Sequence, residues 1–125
     1  MINTQNILIY HNPVCSKSIQ ALALLQLHSD NIRIIEYLEA RLSGNDMQNI
    51  CQMLKIHPVD IIRKKEPVYQ LLQQQFIGNS YEKQCQIIAS NPILLERPIV
   101  IIGEQAIIAK PPEKLYTILT SLGKN

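Results

Sequence analysis

The stretch Ile7-Leu8-Ile9-Tyr10-His11-Asn12-Pro13-Val14-Cys15-Ser16-Lys17-Ser18 decides the reading, because an apolar run breaks at a proline and delivers a cysteine to the start of a helical pattern. Four consecutive apolar residues, 7–10, suit a short strand buried on both faces. Pro13 fixes its own φ and pushes Asn12 out of the helical region, so the strand ends in a turn. Residues 19–27 then carry Gln20, Ala21, Leu22, Ala23, Leu24 and Leu25, all good helix formers, and Ser16 or Cys15 itself is placed to cap them. A cysteine at that point faces unpaired N–H groups and the positive end of a helix dipole. Both favour the thiolate and lower its pKa, and the same N–H groups can cradle an oxyanion. His11, four residues before Cys15, is placed to add positive charge or to shuttle a proton. Ser18, one helical turn after Cys15, can offer its hydroxyl to the sulfur. The plainer alternative is an inert packed cysteine beside a polar strand-end histidine.

Cys15-Ser16-Lys17-Ser18 has serine where a dithiol redox enzyme carries its second cysteine. A lone thiol cannot resolve a mixed disulfide within its own motif, so an external thiol is required. Cys51 and Cys85 fall on apolar helix faces and read as packing, with a resolving role left open.

Outward from this motif, Ile32-Arg33-Ile34-Ile35-Glu36 reads as a second strand, and strand, helix, strand in about thirty residues is a parallel crossover unit. From Ser43 to Ser90 the period changes. Met47, Ile50, Cys51 and Leu54 share one helix face, a Gln-rich helical stretch spans 71–76, and Gly78-Asn79 precedes Ser80, which can cap a helix turning Cys85, Ile88 and Ala89 inward. Residues 98–102 and 106–109 then flank Gly103-Glu104-Gln105 as a hairpin. Pro111-Pro112 starts a last helix, with Leu115, Ile118, Leu119 and Leu122 at helical spacing and Gly123 placed to end it. The expectation is an α/β fold over residues 1–125 as one domain, with a mixed four-stranded sheet and a helical insertion at about 43–90 between the second and third strands.

Composition narrows the function. The chain has 125 residues, 46% of them hydrophobic, and a net charge of +2, too small for a nucleic-acid stripe. Its densest basic spot, Arg63-Lys64-Lys65, is followed at once by Glu66 and reads as a solvated helix end. The polar start has no basic leader region, and no apolar run is long enough to span a membrane. Three cysteines fit neither a paired disulfide framework nor a zinc knuckle, and His11, His28 and His57 show no ligand spacing with them. The expectation is a cytoplasmic protein with free thiols and no metal.

These residues resemble a known family. Tyr10-His11-Asn12-Pro13-Val14-Cys15-Ser16-Lys17-Ser18 is similar to the active-site signature of the ArsC-like arsenate reductases, the group that uses glutathione and glutaredoxin. The resemblance continues through Glu36-Tyr37-Leu38-Glu39, Ile62-Arg63-Lys64-Lys65-Glu66, Asn91-Pro92-Ile93-Leu94, Glu96-Arg97-Pro98-Ile99-Val100 and Lys110-Pro111-Pro112-Glu113. It implies a thioredoxin-like fold, in which Pro98 is expected to be cis and beside the nucleophile. It also implies that Cys15 attacks arsenate or a similar oxyanion, with glutathione as co-substrate, glutaredoxin as partner, no bound cofactor, and a monomer as the default. Asn12, Arg63, Arg97, Pro98 and Lys110 become candidate substrate-binding positions. A guanidinium pairs bidentately with a tetrahedral oxyanion, so Arg63 and Arg97 suit that task; the plainer alternative for each is a surface salt bridge. Two positions depart from the pattern. Lys110 stands where the family carries a third arginine, keeping the charge and losing the fork, and Ile19 stands where relatives often have arginine. These departures leave open a glutathione-dependent thiol oxidoreductase with another substrate. An Spx-like redox regulator is disfavoured by Ser18 in place of a second cysteine.

Overall fold

The computed structural model describes residues 6–122. Gly123, expected to end the last helix, lies outside the described residues. By its packing the chain falls into two compact units, one formed by the segment up to Glu36 together with the segment from Arg97 onward, the other by residues 37–96.

The first unit is a four-stranded sheet with helices. Its strands are β1 (Ile7–His11), β2 (Ile32–Glu36), β3 (Ile99–Ile102) and β4 (Gln105–Ile108), in the order β2-β1-β3-β4. β1 pairs parallel with β2 and antiparallel with β3, and β3 pairs antiparallel with β4. The central strand β1 is buried almost throughout, as its apolar run predicts. Ile7 and Ile9 pack with Val100, Ile102, Ala21, Leu25, Leu115 and Leu119 into one core. Helix α1 (Ser16–Gln26) supplies Ala21 and Leu25, one turn apart on a single face. Gly103 turns the β3–β4 hairpin with φ 61, a conformation glycine adopts without steric cost. The chain then makes a 3₁₀ turn at Pro112–Leu115 before its last helix, Tyr116–Leu122.

The register brings four strand ends together. His11 lies opposite Glu36, Tyr10 opposite Ile99, and Ile99 opposite Ile108. The carboxyl ends of β1, β2 and β4 and the amino end of β3 therefore share one end of the sheet. His11, Glu36, Pro98 and Lys110 all fall there, and the turn leading to Cys15 leaves from it. The Ala109 N–H donates to the Pro98 carbonyl at 2.9 Å, which closes that end. The Arg97–Pro98 peptide is cis, as expected, and so is Lys110–Pro111, which the sequence reading did not anticipate.

The second unit holds α2 (Gly44–Leu54), α3 (Pro67–Ile77) and α4 (Tyr81–Ser90). Ser43 caps α2 reciprocally with Asp46: its hydroxyl accepts from the Asp46 N–H at 3.0 Å, while the Asp46 carboxylate accepts from the Ser43 N–H at 2.8 Å. The Ser80 hydroxyl accepts from the Lys83 N–H at 3.2 Å and starts α4 where expected. Two short 3₁₀ turns, Pro58–Ile61 and Pro92–Leu94, were not foreseen; each opens on a proline that supplies φ without needing a donor. An isolated bridge between Ile62 and Leu95 ties the turns together, so the unit runs past the expected 43–90 on both sides. Arg63-Lys64-Lys65 forms the turn before α3, with Glu66 at its N-cap, so this basic run sits at a helix start. Among the described residues, no helix is long and apolar enough to cross a membrane, and no group of three or more His, Cys, Asp or Glu is placed to hold a metal ion.

Candidate functional site

Cys15 is the residue before α1, with extended backbone at φ −98 and ψ 122. Its N–H donates to the Asn12 carbonyl at 3.1 Å, and its carbonyl accepts from the Ile19 N–H at 2.9 Å. The chain thus turns out of β1 and enters the helix with the Cys15 side chain at the open N-terminus. No hydroxyl or carboxylate caps α1, and the N–H groups of its first turn are turned toward the sulfur of Cys15, the N-cap residue. Burial pushes the Cys15 thiol up, but the Ser18 N–H, the Arg97 guanidinium and the Lys17 N–H all hydrogen-bond the sulfur. The charge of Arg97 adds to them, and the net shift is downward.

Arg97 precedes the cis Pro98 at the amino end of β3, which explains how a residue remote in sequence reaches the sulfur. Its Nε and Nη1 atoms are buried, so the guanidinium is held inside the site rather than in solvent.

The Ser18 hydroxyl has a different task from the one expected. The side chain is fully buried. Its oxygen accepts from the Asn12 N–H at 3.0 Å and lies 2.6 Å from His11 Nδ1. The Ser18 backbone N–H, not its hydroxyl, acts on the sulfur. The distinction was not legible in sequence, because helix spacing allows both.

Of the two roles expected of His11, positive charge or proton transfer, burial bears on the first. The ring is buried, and burial lowers its pKa from the ordinary value of 6.5, outweighing the opposing pull of Glu36. At neutral pH His11 is uncharged and adds no positive charge to the site. It packs at the strand end and anchors Ser18. Asn12 shapes the loop: its Oδ1 accepts from the Val14 N–H at 3.0 Å, and its carbonyl accepts from the Cys15 N–H. Val14 and Ile19, by contrast, are exposed beside Cys15, at 86% and 49%.

Lys110 is exposed just beyond β4, at the same end of the sheet, and is not among the groups that set the Cys15 acidity. Arg63 belongs to the second unit. Its N–H donates to the Leu94 carbonyl at 2.7 Å, and its Nε lies 3.6 Å from a Glu66 carboxylate oxygen. This is the salt bridge named above as the plainer alternative. The structure therefore gathers Cys15, Ser18, His11, Asn12, Arg97 and Pro98 into one site, whereas Arg63 is part of the helical unit. Glu36, which sequence reasoning did not single out, faces His11 through the β1–β2 register.

Known proteins resemble this chain in sequence and in fold. Residues 10–118 match the model of the ArsC family. The chain is 38% identical over 115 residues to an arsenate reductase of Haemophilus influenzae, covering 91% of this chain and 99% of that one. An uncharacterized protein of Escherichia coli is 33% identical, with 93% and 98% covered. The solved arsenate reductase of Vibrio cholerae superposes with a TM-score of 0.84 at 36% identity, over 93% of this chain and 99% of that one. The mixed sheet with its inserted helices is thus the thioredoxin-like fold of those structures, and the cysteine loop, Arg97 and Pro98 lie within the matched region: the chain belongs to the ArsC family.

Proposed function

We propose that the protein is an arsenate reductase with Cys15 as its nucleophile. The observation that carries this reading is the Cys15 sulfur at the N-terminus of α1, bonded by the Ser18 and Lys17 N–H groups and by Arg97. Those donors stabilise a thiolate, and they suit the negative charge of a tetrahedral oxyanion bound against it.

The steps follow from thiol chemistry. The thiolate attacks arsenic(V), forming a sulfur–arsenic bond as one arsenate oxygen leaves as water. Glutathione attacks the Cys15 sulfur, and the sulfur–arsenic electron pair passes to arsenic, releasing arsenite. Arsenic gains two electrons, and Cys15 and glutathione are oxidised to a mixed disulfide. Because Ser18 replaces a second thiol in the motif, that disulfide awaits an external thiol, and glutaredoxin is the proposed partner. Arg97 holds the oxyanion and stabilises charge developing in the attack, with Lys110 as a proposed further anion contact. Asn12 and the Ser18–His11 pair position the loop, and Pro98 forms the wall beside Arg97.

Purified protein supplied with arsenate, glutathione and glutaredoxin is expected to form arsenite, and Cys15→Ser to abolish turnover. Turnover that survives in Cys15→Ser would remove Cys15 as the nucleophile. A thiol reductase acting on another substrate is the second reading, favoured by the exposed apolar Ile19 beside the site. It predicts normal glutathionylation of Cys15 with no competition from arsenate.

A further inference from the structure

Two apolar side chains stand exposed on either side of the reactive cysteine. Val14, the residue before Cys15, is 86% exposed, and Ile19, one helical turn after it, is 49% exposed. Pro13 is exposed as well. The Val14 backbone is fixed from both sides. Its N–H donates to Asn12 Oδ1 at 3.0 Å, and the next N–H, that of Cys15, donates to the Asn12 carbonyl at 3.1 Å. Ile19 is held by the helix: its N–H donates to the Cys15 carbonyl at 2.9 Å, and residues four apart share a face. Both side chains are thus presented to solvent from ordered backbone, so covering them costs little further ordering.

We propose that Val14 and Ile19 are specificity-determining contacts for the protein thiol that regenerates Cys15, a rim that a partner of the glutaredoxin class covers when it docks. The inference rests on the proposed function, because that partner acts on the Cys15–glutathione disulfide formed there.

Disulfide exchange dictates how close the partner comes. Its thiolate attacks the glutathione sulfur in line with the bond to Cys15. That bond breaks, its electron pair leaves on Cys15 as thiolate, and a new disulfide joins partner and glutathione. One disulfide is consumed and one is formed, so no further oxidant or reductant is needed. The lowered acidity range of Cys15 makes it a good leaving group, which directs attack to the glutathione sulfur. In line, the partner sulfur sits two disulfide bond lengths, about 4 Å, from the Cys15 sulfur. Cys15 is itself only partly exposed, so a protein bringing its sulfur that close lays its surface over Val14 and Ile19. Charge suits the approach too. Residues 12–29 hold no carboxylate, and their only lysine or arginine is the exposed Lys17, so an incoming thiolate meets no repelling anion there. A small thiol reaches the same sulfur without covering either side chain, and this difference makes the proposal testable.

The test uses full-length protein glutathionylated at Cys15 with oxidised glutathione, and compares its reduction by a purified glutaredoxin with its reduction by dithiothreitol. Val14→Asn and Ile19→Gln are neutral, so neither alters the charge met by the attacking thiolate. Each is expected to slow the glutaredoxin reaction at least about fivefold, as for a polar group buried in an apolar contact, and to change the dithiothreitol rate less than about twofold. An undiminished glutaredoxin rate in either variant, or an equal slowing with dithiothreitol, overturns the inference. Should Val14→Asn fail to fold, Val14→Ala carries the same comparison. The exchange assay contains no arsenate, so failure of the reductase reading appears separately, as absence of arsenate turnover in the unsubstituted protein.

Discussion

Replacing Ser18 by alanine separates the two tasks of that residue. The substitution deletes the hydroxyl and leaves the backbone N–H in place. It strands two buried groups at once, the Asn12 N–H bonded at 3.0 Å and His11 Nδ1 at 2.6 Å. Each buried polar group left without a partner costs about 1–3 kcal/mol, so the pair costs about 2–6 kcal/mol. Partial reorientation of the imidazole favours the lower half, about 3 kcal/mol, a large share of the roughly 5–15 kcal/mol that holds a domain folded. With a urea slope of about 1.5 kcal/mol per molar, the unfolding midpoint falls by about 2 M. Equilibrium unfolding by circular dichroism reads this directly, with an unchanged slope showing that only stability moved. Cys15 acidity, followed by alkylation rate against pH in the folded variant, is expected to change far less than on loss of Arg97, because the Ser18 group bonded to the sulfur is its N–H. A stability loss below about 1 kcal/mol would mean that the hydroxyl is not holding the loop, and the account of His11 and Asn12 would go with it.

Four further outcomes follow from the same geometry. Arg97→Gln removes a hydrogen bond and a positive charge from the sulfur, so the alkylation midpoint of Cys15 moves up in pH, and an unmoved midpoint counts against that contact. His11 is lowered in the folded protein relative to its ordinary 6.5, so the unfolded chain binds the extra proton first. Its contribution to stability is fully present above about pH 6.5 and is lost as pH falls through the folded value, and urea midpoints of His11→Asn should show a shallower slope across that window. Mass spectrometry after brief alkylation of native protein should find Cys15 modified and the fully buried Cys51 and Cys85 untouched until denaturant is added. Arg63→Gln should shift stability by no more than about 1 kcal/mol, read as a change in urea midpoint, as expected for a half-buried surface pair three residues apart.

The fold was legible wherever a short-range rule acted alone. Four apolar residues ending at Asn12-Pro13 marked β1, Ser80 marked the start of α4, and Gly103 marked the hairpin. The position of Cys15 at a helix start followed from the same rules, and with it the direction of its acidity. What could not be read were choices made by tertiary packing. Whether Ser18 reaches the sulfur by hydroxyl or by N–H depends on where the buried His11 ring lies. Whether His11 carries charge depends on burial outweighing the pull of Glu36, two influences of opposite sign. Arg63 and Arg97 look equivalent in sequence, yet one pairs with Glu66 in the helical unit and the other bonds the sulfur. Cys51 and Cys85 are buried where α2 packs on α4, helices separated by a third, and no periodicity within either could have announced that pairing.

The central claim is that one thiolate and one oxyanion site coincide at Cys15. The rate of Cys15 alkylation against pH, measured with and without arsenate, tests it most directly. The account predicts a midpoint below that of an ordinary cysteine and protection by arsenate. A midpoint at or above the ordinary value, or a lowered one that arsenate leaves unprotected, would contradict it.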